Sequence, residues 1–160
     1  MFQWLKNLWK EDDWWTQATA NRDLTSDQRF LFLDFDGVFM STRNDPKKCM
    51  KWIMRLVNEE DLKIVISSSW RANPPMALST LERMGCTAEV VGMTEYEGKR
   101  YVEIIHYLQK HPCQWFLILD DMDMGPLNQA AVRTTFSEGF TEQKYLEAKQ
   151  KIKQVWYQGH

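Results

Sequence analysis

The stretch FLFLDFDGVF, residues 30–39, constrains the fold more than any other part of the sequence. An apolar run of strand length, Phe30–Leu33, ends directly in Asp34, and Asp36 follows one aromatic residue later. Burying an unpaired carboxylate costs several kcal/mol unless the carboxyl is protonated or a cation compensates its charge. Two carboxylates at the end of a buried strand therefore indicate a site that binds a cation.

Short apolar or β-branched runs alternate with amphipathic stretches from Arg29 onward. Strands are predicted at 29–34, 62–67, 88–92, 114–121 and 130–136, and helices at 46–60, 74–85, 99–111 and 141–156. Strands that alternate with helices predict right-handed βαβ units and a parallel sheet covered on both faces. The predicted fold is a three-layer α/β/α sandwich with a mainly parallel, Rossmann-like sheet.

Polar residues follow the predicted strands at the point where each strand ends. In open parallel sheets, binding sites form at the carboxyl ends of the strands, near the point where the strand order reverses. Four separate segments would therefore bring acidic, hydroxyl and basic side chains to this edge. These side chains are Asp34, Asp36, Ser67, Ser68, Lys99, Arg100, Asp120 and Asp121.

This combination of side chains suits phosphoryl transfer. Mg²⁺ is commonly bound by one or two carboxylates together with water and substrate phosphate. One carboxylate can then attack phosphorus to form an aspartyl-phosphate, while a second acts as general acid and base. Ser67 and a Lys or Arg side chain would bind the phosphoryl oxygens, and Gly37 would allow the sharp turn beyond the acids.

The motifs resemble those of the haloacid dehalogenase (HAD) superfamily of phosphohydrolases. FLDFDGVF resembles the first motif, IVIS at 64–67 the second, Lys99-Arg100 the third-motif base, and LILDD at 117–121 the acidic fourth motif. The phrases SSSWR, GKRYVEI and SEGFTEQKYLEAKQKI are similar to the small HAD domains of Swiss-army-knife RNA-repair proteins. A lone D-x-D-G also suits turn-capping acids, but all four motifs agree in order and spacing across residues 29–156.

The resemblance implies catalytic and metal-binding roles for the acids. Asp34 would be the nucleophile, and Asp36 would be the general acid and base. Asp120 and Asp121 would complete a Mg²⁺ site together with Asp34 and Asp36.

The resemblance also implies a phosphate-binding set. Ser67, with Ser68, would bind the phosphate, and either Arg100 or Lys99 would hold the nucleophile and the phosphate. Ser68 also suits a turn position that bonds local backbone. Arg71 suits either a phosphate contact or a structural ion pair.

The spacing of the motifs bears on the substrate. Enzymes of this superfamily that act on small metabolites often carry a cap domain after the first or second motif, and residues 37–66 and 70–98 are too short for one. An uncapped, open site favours a large phosphorylated substrate, such as a nucleic-acid end, over a small sugar phosphate, and does not exclude a mononucleotide. The expected function is Mg²⁺-dependent phosphomonoester hydrolysis. The alternatives are a protein phosphatase with the same chemistry and a non-catalytic scaffolding module.

Composition limits the binding partners and the cellular compartment that we expect for the protein. The 160-residue chain has a net charge of −2, which argues against non-specific binding to a long polyanion. Three widely spaced cysteines form neither a disulfide framework nor a zinc motif. No stretch approaches the ~18 apolar residues of a membrane span, and no signal peptide is recognisable. We therefore expect a cytoplasmic protein.

Two regions are predicted: a Trp-rich N-terminal helical segment at 1–28 and a HAD-like phosphohydrolase domain at 29–157. In the first region, Phe2, Leu5, Leu8 and Trp9 fall on one helical face. This face is expected to pack on the catalytic domain. The alternatives are binding to a membrane surface, to a protein partner or, less favoured, to single-stranded bases.

Overall fold

A five-stranded sheet forms the centre of the computed structural model, which describes residues 11–157. The strands are β1 (Arg29–Leu33), β2 (Lys63–Ile66), β3 (Val90–Met93), β4 (Trp115–Asp120) and β5 (Ala131–Arg133). Their order is β3-β2-β1-β4-β5, and every neighbouring pair is parallel. The predicted parallel sheet is confirmed, with β1 at its centre.

Within residues 11–157, five α-helices connect or flank these strands. They are α1 (Glu11–Thr19), α2 (Pro46–Glu60), α3 (Pro74–Arg83), α4 (Arg100–Lys110) and α5 (Glu142–Ile152). Helix α2 begins as its sequence predicts, since the Asp45 side chain accepts a hydrogen bond of 2.9 Å from the Lys47 backbone N–H and Pro46 occupies the first turn. Short 3₁₀ helices lie at Ser69–Ala72 and Gly125–Ala130.

Helices cover both faces of the sheet. Every residue of β4 is buried, and consecutive strand residues point to opposite faces, so neither face is left to solvent. Tyr107 of α4 contacts Phe32, and Trp15 of α1 contacts Phe116, which places α1 and α4 on one face. Helices α2 and α5 contact each other and form the other layer. The predicted three-layer sandwich is confirmed.

The connections beside the central strand are short. Between β1 and β2 the chain forms α2, and between β2 and β3 it forms one 3₁₀ turn and α3. Across residues 11–157 no cap domain is inserted. Among the described residues, no inserted domain therefore covers the carboxyl edge of the sheet, where the strands β1, β2 and β4 end.

Two predicted elements extend three or more residues beyond the end of the observed element. The strand predicted at 130–136 ends at Arg133, because the Thr135 carbonyl accepts a hydrogen bond of 2.9 Å from Gly139 N–H and closes a turn. The helix predicted at 141–156 keeps α geometry only to Ile152. A wider turn follows at Lys153–Tyr157 and brings the Trp156 indole to the backbone of the sheet.

The described part of the N-terminal region packs on the domain. Trp15 of α1 stacks on Trp156 with ring centroids 5.7 Å apart, and Ala18 is buried. The predicted apolar face of Phe2, Leu5, Leu8 and Trp9 lies outside the described residues. Among residues 11–157, no helix is both long enough and apolar enough to cross a membrane.

Candidate active site

The ends of three neighbouring strands place the candidate residues at the carboxyl edge. Asp34 directly follows β1, Ser67 directly follows β2, and Asp120 is the last residue of β4. Backbone hydrogen bonds continue the ladder through these positions, from Asp34 N–H to the Leu119 carbonyl at 3.1 Å and from Ser67 N–H to the Leu33 carbonyl at 3.0 Å. The hydrogen bonds of the sheet therefore fix the backbone positions from which these side chains project.

Three carboxylates meet at this edge. Asp34, Asp120 and Asp121 each contribute one oxygen to a group whose atoms all lie within 4.8 Å of one another. Asp34 and Asp120 are buried, and Asp121 is half-buried. Clustered carboxylate oxygens are the donors that hard divalent cations prefer, so these residues fit such an ion.

Arg100 is the cation that faces these acids. Its Nη1 lies 2.9 Å from Asp120 Oδ2 and 3.4 Å from Asp34 Oδ1, and it also donates to the Ser67 carbonyl. Lys99, the alternative base, is exposed, and its ammonium lies 5.9 Å from the centre of the Tyr101 ring. Of the two basic residues, Arg100 is the one that the structure brings into the site.

The acids are only partly compensated by Arg100. Burial raises the pKa of Asp34 to about 8, with repulsion from Asp120 adding to the shift and Arg100 opposing it. Burial also raises the pKa of Asp120 to about 6, again against the effect of Arg100. At neutral pH the site therefore favours binding either a proton or a further cation.

Without a divalent cation, we expect these two groups to lower the stability of the domain as the pH rises from about 4 to about 8. Their folded-state pKa values are raised above the unfolded value of about 3.9. Their stabilising contribution is therefore complete below pH 4 and is lost as the pH passes about 6 for Asp120 and about 8 for Asp34. Thermal melts in EDTA test this decline.

The variant Asp34→Asn provides the reference for that measurement. The asparagine side chain does not titrate, so the decline in melting temperature between about pH 4 and about pH 8 should become shallower in the variant. Identical pH profiles of the melting temperature for the two proteins would contradict the raised pKa of Asp34.

The two serines at the end of β2 have different surroundings. Ser67 is 1 % exposed, and its Oγ has no hydrogen-bond partner within residues 11–157. An unpartnered buried hydroxyl is costly unless a ligand bonds it, which suits the predicted phosphate contact. Ser68 Oγ instead accepts a hydrogen bond of 3.2 Å from Trp70 N–H, as the turn interpretation predicts.

Asp36 does not belong to the cluster formed by Asp34, Asp120 and Asp121. Its carboxylate accepts from the indole N–H of Trp70, with Nε1 3.2 Å from both Oδ1 and Oδ2. The group of carboxylates that could hold an ion does not include Asp36, so the metal contact of the Asp36 side chain stays a prediction. The Trp70 contact was missed from the sequence, where SSSW carries no signal that links it to residue 36.

An ion pair between Arg71 and the buried Glu103 lies next to Arg100. Glu103 was not identified from the sequence. Glu103 is 2 % exposed, bonds Arg71 Nη2 at 2.9 Å and accepts from Glu97 N–H at 2.8 Å. Arg71 therefore makes the structural ion pair, one of its two predicted alternatives. The i,i+3 spacing of Arg100 and Glu103 is a signal that could have pointed to Glu103, since such residues share a helix face, and Glu103 Oε1 lies 3.9 Å from Arg100 Nε.

Gly37 shapes the loop beyond the acids. Its φ is +81°, and a Cβ at this position would lie 2.5 Å from Asp121 Oδ2. Thr134 Oγ1 donates to the Gly37 carbonyl and fixes the loop to the end of β5. The predicted need for glycine is explained by both its φ and the space that the Asp121 carboxylate occupies.

Replacing Gly37 with alanine should displace the Asp121 carboxylate and weaken divalent-cation binding by about 10- to 100-fold, the range seen when the support of a metal ligand is lost. Gly98→Ala is the matched control, since Gly98 also has a positive φ of +101° but a Cβ there meets nothing within 4 Å. Titration calorimetry with Mg²⁺ separates the two variants. Equal affinities would show that Asp121 takes no part in binding the ion.

The parallel sheet and the acids at its carboxyl edge define an α/β domain of HAD-like architecture. Residues 30–145 match the family model described as the HAD domain in Swiss Army Knife RNA repair proteins. The chain belongs to this family, and the resemblance stated from the sequence motifs is confirmed. No curated protein and no solved structure that was compared is significantly similar to the chain. Membership of the family indicates hydrolase activity of the phosphatase type.

Proposed function

We propose that this protein is a Mg²⁺-dependent phosphomonoester hydrolase that works through an aspartyl-phosphate on Asp34. The observation that carries the proposal is the meeting of Asp34, Asp120 and Asp121 within 4.8 Å, next to Arg100. Arg100 compensates the charge of these three carboxylates only in part, so the group favours a further cation. Bound Mg²⁺ would be held by these three carboxylates and would offset the charge of the substrate phosphate.

Asp34 and the residues around it would each perform one part of the reaction. Asp34 attacks phosphorus, and Arg100 keeps its carboxylate in place from 3.4 Å. The unpartnered Ser67 hydroxyl donates to a phosphoryl oxygen. Asp36, two residues after the nucleophile, gives its proton to the leaving oxygen and later takes one from water.

We further propose a class of substrate for this protein, namely a phosphorylated nucleic-acid end. The family is described by its occurrence in RNA repair proteins, and the uncapped carboxyl edge leaves room for a substrate much larger than a metabolite. A chain of net charge −2 would bind such a substrate locally, at its phosphorylated end.

We also place the protein in the cytoplasm. The three cysteines, Cys49, Cys86 and Cys113, are free in the structure. Burial raises the pKa of each thiol, which keeps them protonated and unreactive. Free thiols are typical of a reducing compartment.

Phosphate release from p-nitrophenyl phosphate, with Mg²⁺ and with EDTA, tests the proposed chemistry. A phosphorylated oligoribonucleotide and a phosphopeptide, compared under the same conditions, test the substrate class. We expect Mg²⁺-dependent release in the first assay and preference for the oligonucleotide in the second. Release that is equally fast in EDTA would contradict the proposed mechanism, whereas preference for the phosphopeptide would overturn only the substrate class.

A further inference from the structure

The general acid of the proposed mechanism is held by a tryptophan. Trp70 points its indole N–H at the Asp36 carboxylate, with Nε1 3.2 Å from each oxygen. Within residues 11–157, no lysine, arginine or histidine forms an ion pair with Asp36. The side-chain donor on this carboxylate is therefore neutral.

The position of Trp70 is fixed from two sides. Its backbone N–H donates to Ser68 Oγ at 3.2 Å, and its carbonyl accepts from Asn73 N–H at 3.0 Å. Its ring packs on Phe35 with centroids 5.4 Å apart, and Phe35 is completely buried between the two aspartates in sequence. The indole thus packs directly against the D-x-D segment.

A neutral donor suits a group that must change its charge during each turnover. A cationic partner would favour the ionised carboxylate and resist its protonation. An indole N–H carries no charge and can donate to one carboxyl oxygen while the other carries the transferred proton.

We propose that Trp70 is a positioning residue that orients Asp36 as the proton donor to the leaving group, an inference that rests on the proposed hydrolase function. In the first step the bond from Asp34 to phosphorus forms, the bond from phosphorus to the leaving oxygen breaks, and the Asp36 proton moves to that oxygen. In the second step water bonds to phosphorus, its proton goes to Asp36, and the bond to Asp34 breaks. The indole keeps its own proton throughout.

A pair of substrates with similar rings but different leaving groups tests the role of Trp70. The p-nitrophenolate ion leaves without protonation, whereas the strongly basic alkoxide of benzyl phosphate needs the proton. The ratio of kcat/KM for the two substrates reports on the step that forms the aspartyl-phosphate. A merely structural role of Trp70 would lower both values and leave their ratio unchanged.

Trp70→Phe removes the N–H and retains a ring to pack on Phe35. We expect kcat/KM to fall about tenfold more with benzyl phosphate than with p-nitrophenyl phosphate, a part of the ~10²–10⁴-fold that general acid catalysis contributes. Asp36→Asn should change the ratio in the same direction and further. Trp52→Phe is the matched control, because Trp52 packs on Tyr145 of α5, and its ratio should equal that of the wild type.

The outcomes separate this proposal from the one on which it rests. An unchanged ratio in Trp70→Phe, together with an altered ratio in Asp36→Asn, would overturn the role of Trp70 and leave the hydrolase function standing. An unchanged ratio in Asp36→Asn would overturn the role of Asp36 as proton donor and, with it, the role of Trp70, whereas absence of Mg²⁺-dependent hydrolysis of either substrate by the wild type would overturn the hydrolase function itself. If Trp70→Phe does not fold, a tryptophan analogue with sulfur in place of the indole N–H, introduced at position 70, gives the same test with the ring shape preserved.

Discussion

Replacing Asp34 with asparagine lowers kcat for Mg²⁺-dependent phosphomonoester hydrolysis by at least about 10⁴-fold, as expected for loss of a nucleophile. The amide cannot form the aspartyl-phosphate, and no other carboxylate of the cluster follows β1 directly. Steady-state hydrolysis of p-nitrophenyl phosphate at saturating Mg²⁺ measures the loss.

The loss in Asp34→Asn should not come from unfolding. Asparagine removes a carboxylate whose pKa is raised to about 8 by burial, so the variant without Mg²⁺ should be at least as stable as the wild type at that pH. Asp123→Asn is the control, since Asp123 is exposed, bonds Gly125 N–H and lies outside the carboxylate cluster. Comparable loss of activity in both variants would contradict a specific role for Asp34.

Replacing Arg100 with alanine has the second large effect, on stability as well as on activity. It leaves Asp34 and Asp120 facing each other without a cation, and removing one partner of a buried ion pair costs about 3 kcal/mol or more. We expect the free energy of unfolding at pH about 8 to fall by this amount and kcat to fall about 100-fold. Urea denaturation and steady-state kinetics measure the two effects.

Lys99→Ala is the matched control for Arg100→Ala. Lys99 precedes α4 and is exposed beside Tyr101, so its loss should leave both the free energy of unfolding and kcat nearly unchanged. Added Mg²⁺ should also restore part of the stability of Arg100→Ala, because the ion supplies the missing positive charge. A larger effect of Lys99→Ala than of Arg100→Ala would reverse the assignment of the two bases.

The sequence predicts most of the structural features that position the candidate active site. The apolar runs before Asp34 and Asp120 are long enough to be recognised as buried strands, and parallel strands bring their carboxyl ends to one edge. That topology is sufficient to bring Ser67 to the same edge without any knowledge of tertiary contacts. The cap and first-turn proline of α2 are likewise local signals that the structure reproduces.

What the sequence could not predict depends on contacts between distant segments. The choice between Lys99 and Arg100 depends on the direction in which α4 leaves its first turn, which the dipeptide does not specify. The hydrogen bond from Trp70 to Asp36 joins the segments that follow two different strands, β2 and β1. The hydrogen bond from Thr134, the residue after β5, to the Gly37 carbonyl likewise joins segments far apart in the sequence.

Direct detection of phosphorylated Asp34 tests the central claim. In Asp36→Asn the intermediate loses the base for its hydrolysis, while p-nitrophenolate still leaves without an acid, so the aspartyl-phosphate should accumulate. Acid quenching, reduction with borohydride and peptide mass spectrometry should then find homoserine at position 34, only when Mg²⁺ was present. A covalent phosphate on another residue, or an unmodified Asp34 in a variant that still releases p-nitrophenolate, would contradict the proposed mechanism.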